Sequence, residues 1–235
     1  MPESPGPADP VSGWIEALER RHRRDLTFQE VRKGLQALSS LYVERRQKIA
    51  SGSALEGAGK RAAFALYYGP MHFLLVRAVL QALGPAPTRP RVVLDLGCGT
   101  GAAGAAWALL TRAAVEGIDR SGWAVEEAQW TYGRLGLRGS ARKDDAAAMS
   151  LPGGTAGVVA AFTVNELDPE ARALLLTRFR AAATGELSVL VVEPLARRAL
   201  TWWNEWADVF AAIGGRQDEW RPRLDIPPSV AELGR

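Results

Sequence analysis

Cysteine occurs once in these 235 residues and histidine twice, at His22 and His72. A single thiol excludes an internal disulfide. One cysteine and two distant histidines fall short of a structural zinc or iron–sulfur ligand set, so no metal is expected. No uninterrupted apolar run approaches the roughly eighteen residues that a bilayer-spanning helix needs, and no membrane association is expected. The first ten residues hold four prolines and two acids, unlike the basic-then-apolar start of a secretory signal. That stretch, 1–10, is expected to be disordered, and the protein to be cytoplasmic.

What remains is ordinary globular material, 47% apolar and 23% charged, enough for one large or two small domains. The net charge of +3 is unevenly spread. Residues 1–91 carry 14 Lys/Arg against 8 Asp/Glu, a balance of +6, and residues 92–235 carry 15 against 18, a balance of −3. A basic front third suits a polyanionic partner such as RNA, and it equally suits a solvated helical surface.

The chain is organised around Val92-Val-Leu-Asp95-Leu-Gly97-Cys98-Gly99-Thr-Gly101, an apolar strand that ends in an acid and enters a glycine turn. Gly97, Gly99 and Gly101 permit backbone angles closed to other residues. The helix expected at once behind them offers unpaired N–H groups to an anionic or polar group. Gly99 to Gly104 also fits the dinucleotide pattern GxGxxG, with Asp119 about twenty residues on. Three features favour a different ligand. Asp95 precedes the glycines, where it would face a pyrophosphate unfavourably. The remaining chain is short for a second, dehydrogenase-type domain. Asp145 stands where a third strand should end, with Asp144 as its neighbouring rival. Acids after three successive strands suit S-adenosylmethionine, which presents an amino-acid end, a ribose diol and an adenine amine.

Helices are expected from Val11 to about Arg24 and, behind the capping box Thr27/Glu30, from there to about Lys48. The second carries an apolar stripe of Val31, Leu35, Leu38, Leu41 and Tyr42. Arg20, Arg21, Arg23, Arg24, Arg45, Arg46 and Lys48 form basic clusters. A further helical stretch from Leu55 to Leu83 should break at Gly69-Pro70, since proline lacks an N–H and disfavours helix before it. Tyr67, Tyr68 and His72 flank that break, either packed against the following domain or walling a substrate pocket. Strands are expected near 113–119, 139–143, 157–164 and 186–192, alternating with helices, which implies a doubly wound, mostly parallel α/β sheet. Residues 11–84 would form a helical N-terminal domain and 91–235 the ligand-binding domain. The final strand that such folds insert antiparallel is apparently missing, although Glu219 to Ile226 could form one more strand.

The glycine turn and its acids resemble those of class I S-adenosylmethionine-dependent methyltransferases throughout residues 91–226. The segments Leu38–Arg46 and Gly59–Tyr68 resemble a narrower group, the bacterial branch of the methyltransferase-like proteins of the mitochondrial small ribosomal subunit. That resemblance implies work on or with small-subunit ribosomal RNA. Mitochondrial relatives carry a cysteine-ligated cluster, which this chain cannot build from Cys98 alone. Carried over by position, Asp95 would hold the donor's amino group. Gly97, Cys98, Gly99 and Gly101 would approach its methionine and ribose. Asp119, followed by Arg120, would accept the ribose hydroxyls, and Asp145 with Ala146 would meet the adenine.

Methyl transfer from a sulfonium needs mainly alignment of nucleophile and methyl, and a base only where the nucleophile carries a proton. Asn165 and Glu166, after the strand expected beside the first, are the candidates for orienting the acceptor. The Asn/Asp-Pro-Pro-aromatic motif of many base N-methylases is missing, as is a Pro-Cys nucleophile for carbon methylation. Trp202, Trp203 and Trp206 are spaced to pack against the sheet or to stack bases. Three functions stay open: an RNA methyltransferase, a ribosome-associated assembly factor with a retained but non-catalytic donor pocket, and a small-molecule methyltransferase.

Overall fold

Residues 9–44, 55–84, 89–182, 186–195 and 200–235 of the computed structural model are described. Most of the stretch expected to be disordered, the basic residues Arg45, Arg46 and Lys48, and most of the linker into the sheet lie outside them.

Five strands form one wholly parallel sheet: β1 (Val92–Leu96), β2 (Ala114–Asp119), β3 (Gly139–Lys143), β4 (Ala156–Ala161) and β5 (Leu187–Val192). Their order is β3-β2-β1-β4-β5. The central strands β1 and β4 are apolar throughout except for Asp95 because both faces are covered. Alternation divides them between two cores. Val93, Val115 and Val159 face one side, and Leu94, Leu96, Ile118, Val158 and Ala160 face the other. The edge strand β3 buries only Ala141.

On the first face lie α1 (Pro10–His22), α2 (Phe28–Glu44), α3 (Ala58–Ala63), α4 (Gly69–Leu83), α5 (Ala102–Thr111) and α6 (Gly122–Arg134). The front helices and residues after 91 therefore share one hydrophobic core. On the second face α7 (Pro169–Ala182) and α8 (Trp203–Ala212) pack Leu175, Phe179 and Trp206 against the strands. Trp202 and Trp206 are buried there, packed rather than free to stack a base, while Trp203 is half-exposed and donates to Gln217.

The capping box forms as expected: the Thr27 N–H and hydroxyl both donate to the Glu30 carboxylate at 2.8 Å. Helices α2 and α3 cross where glycine meets glycine, since a Cβ on Gly34 would stand 2.2 Å from the Gly59 carbonyl oxygen. The break expected at Gly69-Pro70 is instead a π-turn one turn earlier, Phe64–Tyr68, in which the Gly69 N–H donates to the Phe64 carbonyl. Widening to i−5 bonds lets the helix continue into α4 despite the proline. By length and composition alone, the resulting run Ala58–Leu83 is long and apolar enough to cross a membrane. The mean hydropathy of its best 18-residue window reaches 1.3 despite the interrupting charges, and 56% of that window is buried inside the protein.

Helix α1 is anchored on α6 by a buried carboxylate. Glu127 accepts from Arg21 at 2.8 Å and pairs with the His22 ring at 2.9 Å, while its own side chain is 3% exposed. Arg21 also lies over the Trp130 ring. Residues 219–226 form no strand, and no sixth strand occurs among the described residues. The chain instead returns to the front helices, where α9 (Pro228–Leu233) buries Val230 and Leu233 in the first core.

Candidate active site

Strand order reverses between β1, which continues to β2, and β4, reached by a crossover from the far edge. Ligands of open parallel sheets lie in the crevice at that switch point, beyond the carboxyl ends of the strands. Two segments meet there: the glycine turn after β1 and residues 162–166 after β4.

Gly97, Gly99 and Gly101 all have positive φ, at 65°, 52° and 78°. Packing from beneath requires their bareness as much as any ligand does. A Cβ on Gly97 would be 2.4 Å from Thr163 Cγ2, and one on Gly101 would be 2.7 Å from the Tyr132 ring. Thr163 locks the turn to β4, its hydroxyl donating to the Leu96 carbonyl at 3.0 Å. Cys98 donates its N–H to Ile118 of β2, and its thiol is buried. Burial and the nearby Asp95 and Asp119 charges push that thiol's pKa up, so it is an inert packing group.

Asp119, at the tip of β2, is half-buried. Its Oδ2 accepts the Gly99 N–H at 2.9 Å and its Oδ1 the Ser121 N–H at 2.8 Å. Burial raises its pKa above 3.8 despite these bonds. Each oxygen retains a lone pair, and two free acceptor positions on one carboxylate match a ribose diol.

Asp95 is placed differently from the expectation that it holds the donor's amino group. It is 1% exposed, beneath the first turn of α5, and accepts the Gly104 N–H at 2.7 Å. Strand alternation puts it on Val93's face, the one that α5 covers. Burial pushes its pKa up to about 7, the Gly104 N–H opposes that, and the Asp119 charge adds to it. It braces the helix start from below.

Asp145 and Arg120 form one rim. Arg120 donates to Asp145 Oδ2 at 2.7 Å, and the Ala147 N–H donates to Oδ1 at 2.9 Å. Slight burial raises the Asp145 pKa, and these partners outweigh it, leaving the group below its ordinary value. Ala146 is buried in the second core.

Asn165 and Glu166 occupy a short turn, Val164–Glu166, beside the glycine turn. The Asn165 N–H donates to Glu193 Oε1 at 3.0 Å, and its side-chain oxygen faces the Trp202 indole N–H at 3.5 Å. The N-cap of α7 is Asp168, which accepts the Ala171 N–H at 2.7 Å. Glu166 is half-buried, and burial, then Glu193, then Asp119 push its pKa up to about 8. At neutral pH its carboxyl is mostly protonated, and it becomes a base just above that.

Tyr67, Tyr68 and His72 form one run of rings, Tyr67 standing edge-on to Tyr68 with centroids 5.4 Å apart. Tyr67 turns toward the chain end, where a Cβ on Gly234 would meet its ring at 2.8 Å. Tyr68 and His72 stay together, ring centroids 5.8 Å apart. Phe64, whose ring reaches Gly99, and Phe162, stacked on His72 at 4.0 Å, join them and were missed. The spacing of four through Phe64, Tyr68 and His72 was the available signal. For Phe162, buried in an apolar strand sequence, there was none.

Residues 93–185 match the family described as "Methyltransferase domain". None of the curated proteins matches this sequence. Among solved structures, the mitomycin 7-O-methyltransferase MmcR is similar at TM-score 0.52 and 16% identity, over 94% of this chain and 70% of that one. A TehB-like S-adenosylmethionine-dependent methyltransferase from Corynebacterium glutamicum has TM-score 0.45 and 16% identity, over 59% of this chain and 71% of that one. The glycopeptide N-methyltransferase MtfA complexed with S-adenosylmethionine has TM-score 0.42 and 20% identity, over 51% of this chain and 53% of that one, so the chain spans about half of its length. The MmcR likeness supports the fold, front helices included. Residues 93–185 thus carry the match to a methyltransferase domain, on a fold shared with MmcR.

Proposed function

We propose that this chain transfers the methyl group of S-adenosylmethionine to small-subunit ribosomal RNA. When bound, the donor supplies a methyl group on a sulfonium, already a good leaving group. The chain's own residues then have three tasks: Asp119 holds the ribose, the turn after β4 aligns the acceptor, and Glu166 removes a proton if the nucleophile carries one.

The observation that carries the RNA reading is the basic end of α1. Arg20, Arg23 and Arg24 line a shallow concavity there together with Glu19. Arg21 does not belong to that surface, since Glu127 and Trp130 hold it. Arg20 is 66% exposed and its only ion pair among the described residues, with Glu16, spans 3.8 Å, a weak tie that leaves it open to a phosphate.

A small-molecule acceptor is the second reading, favoured by the aromatic rings that the front helices bring over the glycine turn. Incubating the full chain with methyl-tritiated donor and, separately, small ribosomal subunits, protein-free RNA or a metabolite extract tests both. Label in RNA supports the first reading and label in small molecules the second. Donor binding without any transfer leaves only a ribosome-binding role. Arg20→Glu, Arg23→Glu and Arg24→Glu together should flatten the slope of log affinity against log salt for RNA by roughly 2 to 3. An unchanged slope would remove these arginines from the RNA surface.

A further inference from the structure

Three irregularities of the chain converge beside the glycine turn. Phe162, immediately after β4, has φ of 61°, a left-handed conformation that costs free energy for any residue with a side chain. The helix opposite widens into the π-turn Phe64–Tyr68, a feature concentrated at functional sites. His72, one turn further on, makes no hydrogen bond through either ring nitrogen among the described residues, and burial takes its pKa down to about 3.

Their rings meet. His72 stacks on Phe162 with centroids 4.0 Å apart and planes 20° from parallel. Phe64 stands edge-on to His72 at 6.2 Å and edge-on to Trp123 at 6.3 Å. Tyr68, His72, Phe162 and Trp123 are only partly buried, so the group presents ring surface rather than closing on itself. Its position is fixed from both sides. Phe64 reaches to 3.3 Å from where a Gly99 Cβ would stand, and Thr163, next to Phe162, is bonded to the Leu96 carbonyl.

We propose that the His72–Phe162 stack is one wall of the acceptor subsite and that this subsite takes a planar heteroaromatic ring. The inference rests on the methyltransferase reading and names its acceptor class. A turn that served packing alone would be met at no conformational cost by glycine at 162. A phenylalanine held there presents a flat apolar face beside the donor site. The neutral imidazole adds one N–H donor and one bare nitrogen, the pair that the edge of a heteroaromatic ring complements. A nucleobase of RNA and a free heteroaromatic metabolite share this chemistry.

The test uses 2-aminopurine riboside, whose fluorescence is quenched on stacking, titrated into the full chain saturated with S-adenosylhomocysteine. Saturable quenching is expected. Phe162→Gly, which suits the backbone angle and so leaves the fold intact, should weaken the riboside by about five- to a hundredfold, the worth of one stacked ring. Phe162→Tyr should restore the affinity. Calorimetric affinity for S-adenosylhomocysteine should stay within about twofold in both variants. The proposal is overturned if the unaltered chain shows no saturable quenching, if Phe162→Gly binds the riboside equally well, or if affinity for S-adenosylhomocysteine falls in parallel. Failure of the unaltered chain to bind S-adenosylhomocysteine would instead sink the enzyme reading itself. Transfer of tritiated methyl to RNA or to small heteroaromatics, each compared with Phe162→Gly, separates the two sources of the ring.

Discussion

Asp119→Ala gives the sharpest test of the donor site. The carboxylate already accepts the Gly99 and Ser121 N–H groups, one per oxygen, and keeps one acceptor position on each for the ribose diol. A hydrogen bond to a charged acceptor contributes about 1.5–3 kcal/mol, so two contribute about 3–6 kcal/mol. At about 1.4 kcal/mol per factor of ten, affinity for S-adenosylhomocysteine should fall by about 10² to 10⁴. The lower figure is the safer expectation, because water can enter where the side chain was and take up part of the loss. Asp119→Asn keeps the shape and one acceptor oxygen but turns an amide NH₂ toward a backbone N–H, and its affinity should fall between the other two. Isothermal titration calorimetry measures all three, with urea midpoints confirming that each is folded at the assay temperature. A wild-type ligand lacking the 3′-hydroxyl should reproduce part of the loss, and the Ala variant should no longer distinguish it from the complete ligand. If folded Asp119→Ala binds S-adenosylhomocysteine within about threefold of wild type, the ribose assignment is wrong.

Glu166 should appear in the pH–rate profile. Its pKa lies near 8, so a rate that needs its base form should rise through neutral pH and level off above about 8. Glu166→Gln should lower the plateau by about 10² to 10⁴ and remove that limb; a variant with an unchanged limb shows that another group titrates there. The Glu127 anchor should be visible in stability. Glu127→Gln strands Arg21 and His22 and should cost about 2–4 kcal/mol near pH 7, less than for a fully buried pair because Arg21 reaches solvent. Burial opposes the ionised form of Glu127, but His22 and Arg21 overcome it and hold the folded pKa below 4.5. The charged form's contribution is therefore complete above about pH 4.5 and is lost as pH falls through the folded value. Urea midpoints of wild type and variant should converge there, and a gap unchanged from pH 7 to pH 3 refutes the assignment.

The parts of this fold that could be read from sequence are those where local pattern and tertiary need coincide. Strand β1 is buried on both faces, so its residues are apolar without interruption up to Asp95, and the turn behind it needs left-handed angles, so glycines follow. Strand β3 was legible only by position, because an edge strand that buries Ala141 alone writes almost no hydrophobic pattern. The return of α9 to the front helices was illegible, since Val230 and Leu233 find their partners more than a hundred residues away. Asp95 is the instructive misreading. Its place before the glycines suggested a ligand contact, yet the alternation that separates Val93 from Leu94 and Leu96 already puts it under α5.

The acceptor side shows why a site can hide in a sequence whose fold is plain. Phe64, Tyr68 and His72 are spaced by four, and in a regular α-helix each such step overshoots a full turn by about 40°. Three rings would therefore drift around the helix. The π-turn Phe64–Tyr68 takes up part of that overshoot, because its bonds span five residues rather than four. The same widening lets the helix pass Pro70, so a residue that reads as a helix breaker is what turns a drifting stripe into a cluster facing Gly99. Phe162 completes it from the other side through a backbone angle that no side-chain pattern announces. Straightening the helix with Pro70→Ala should thus disturb the ring cluster before it disturbs Asp119, which hangs from β2 and meets that helix only through Gly99.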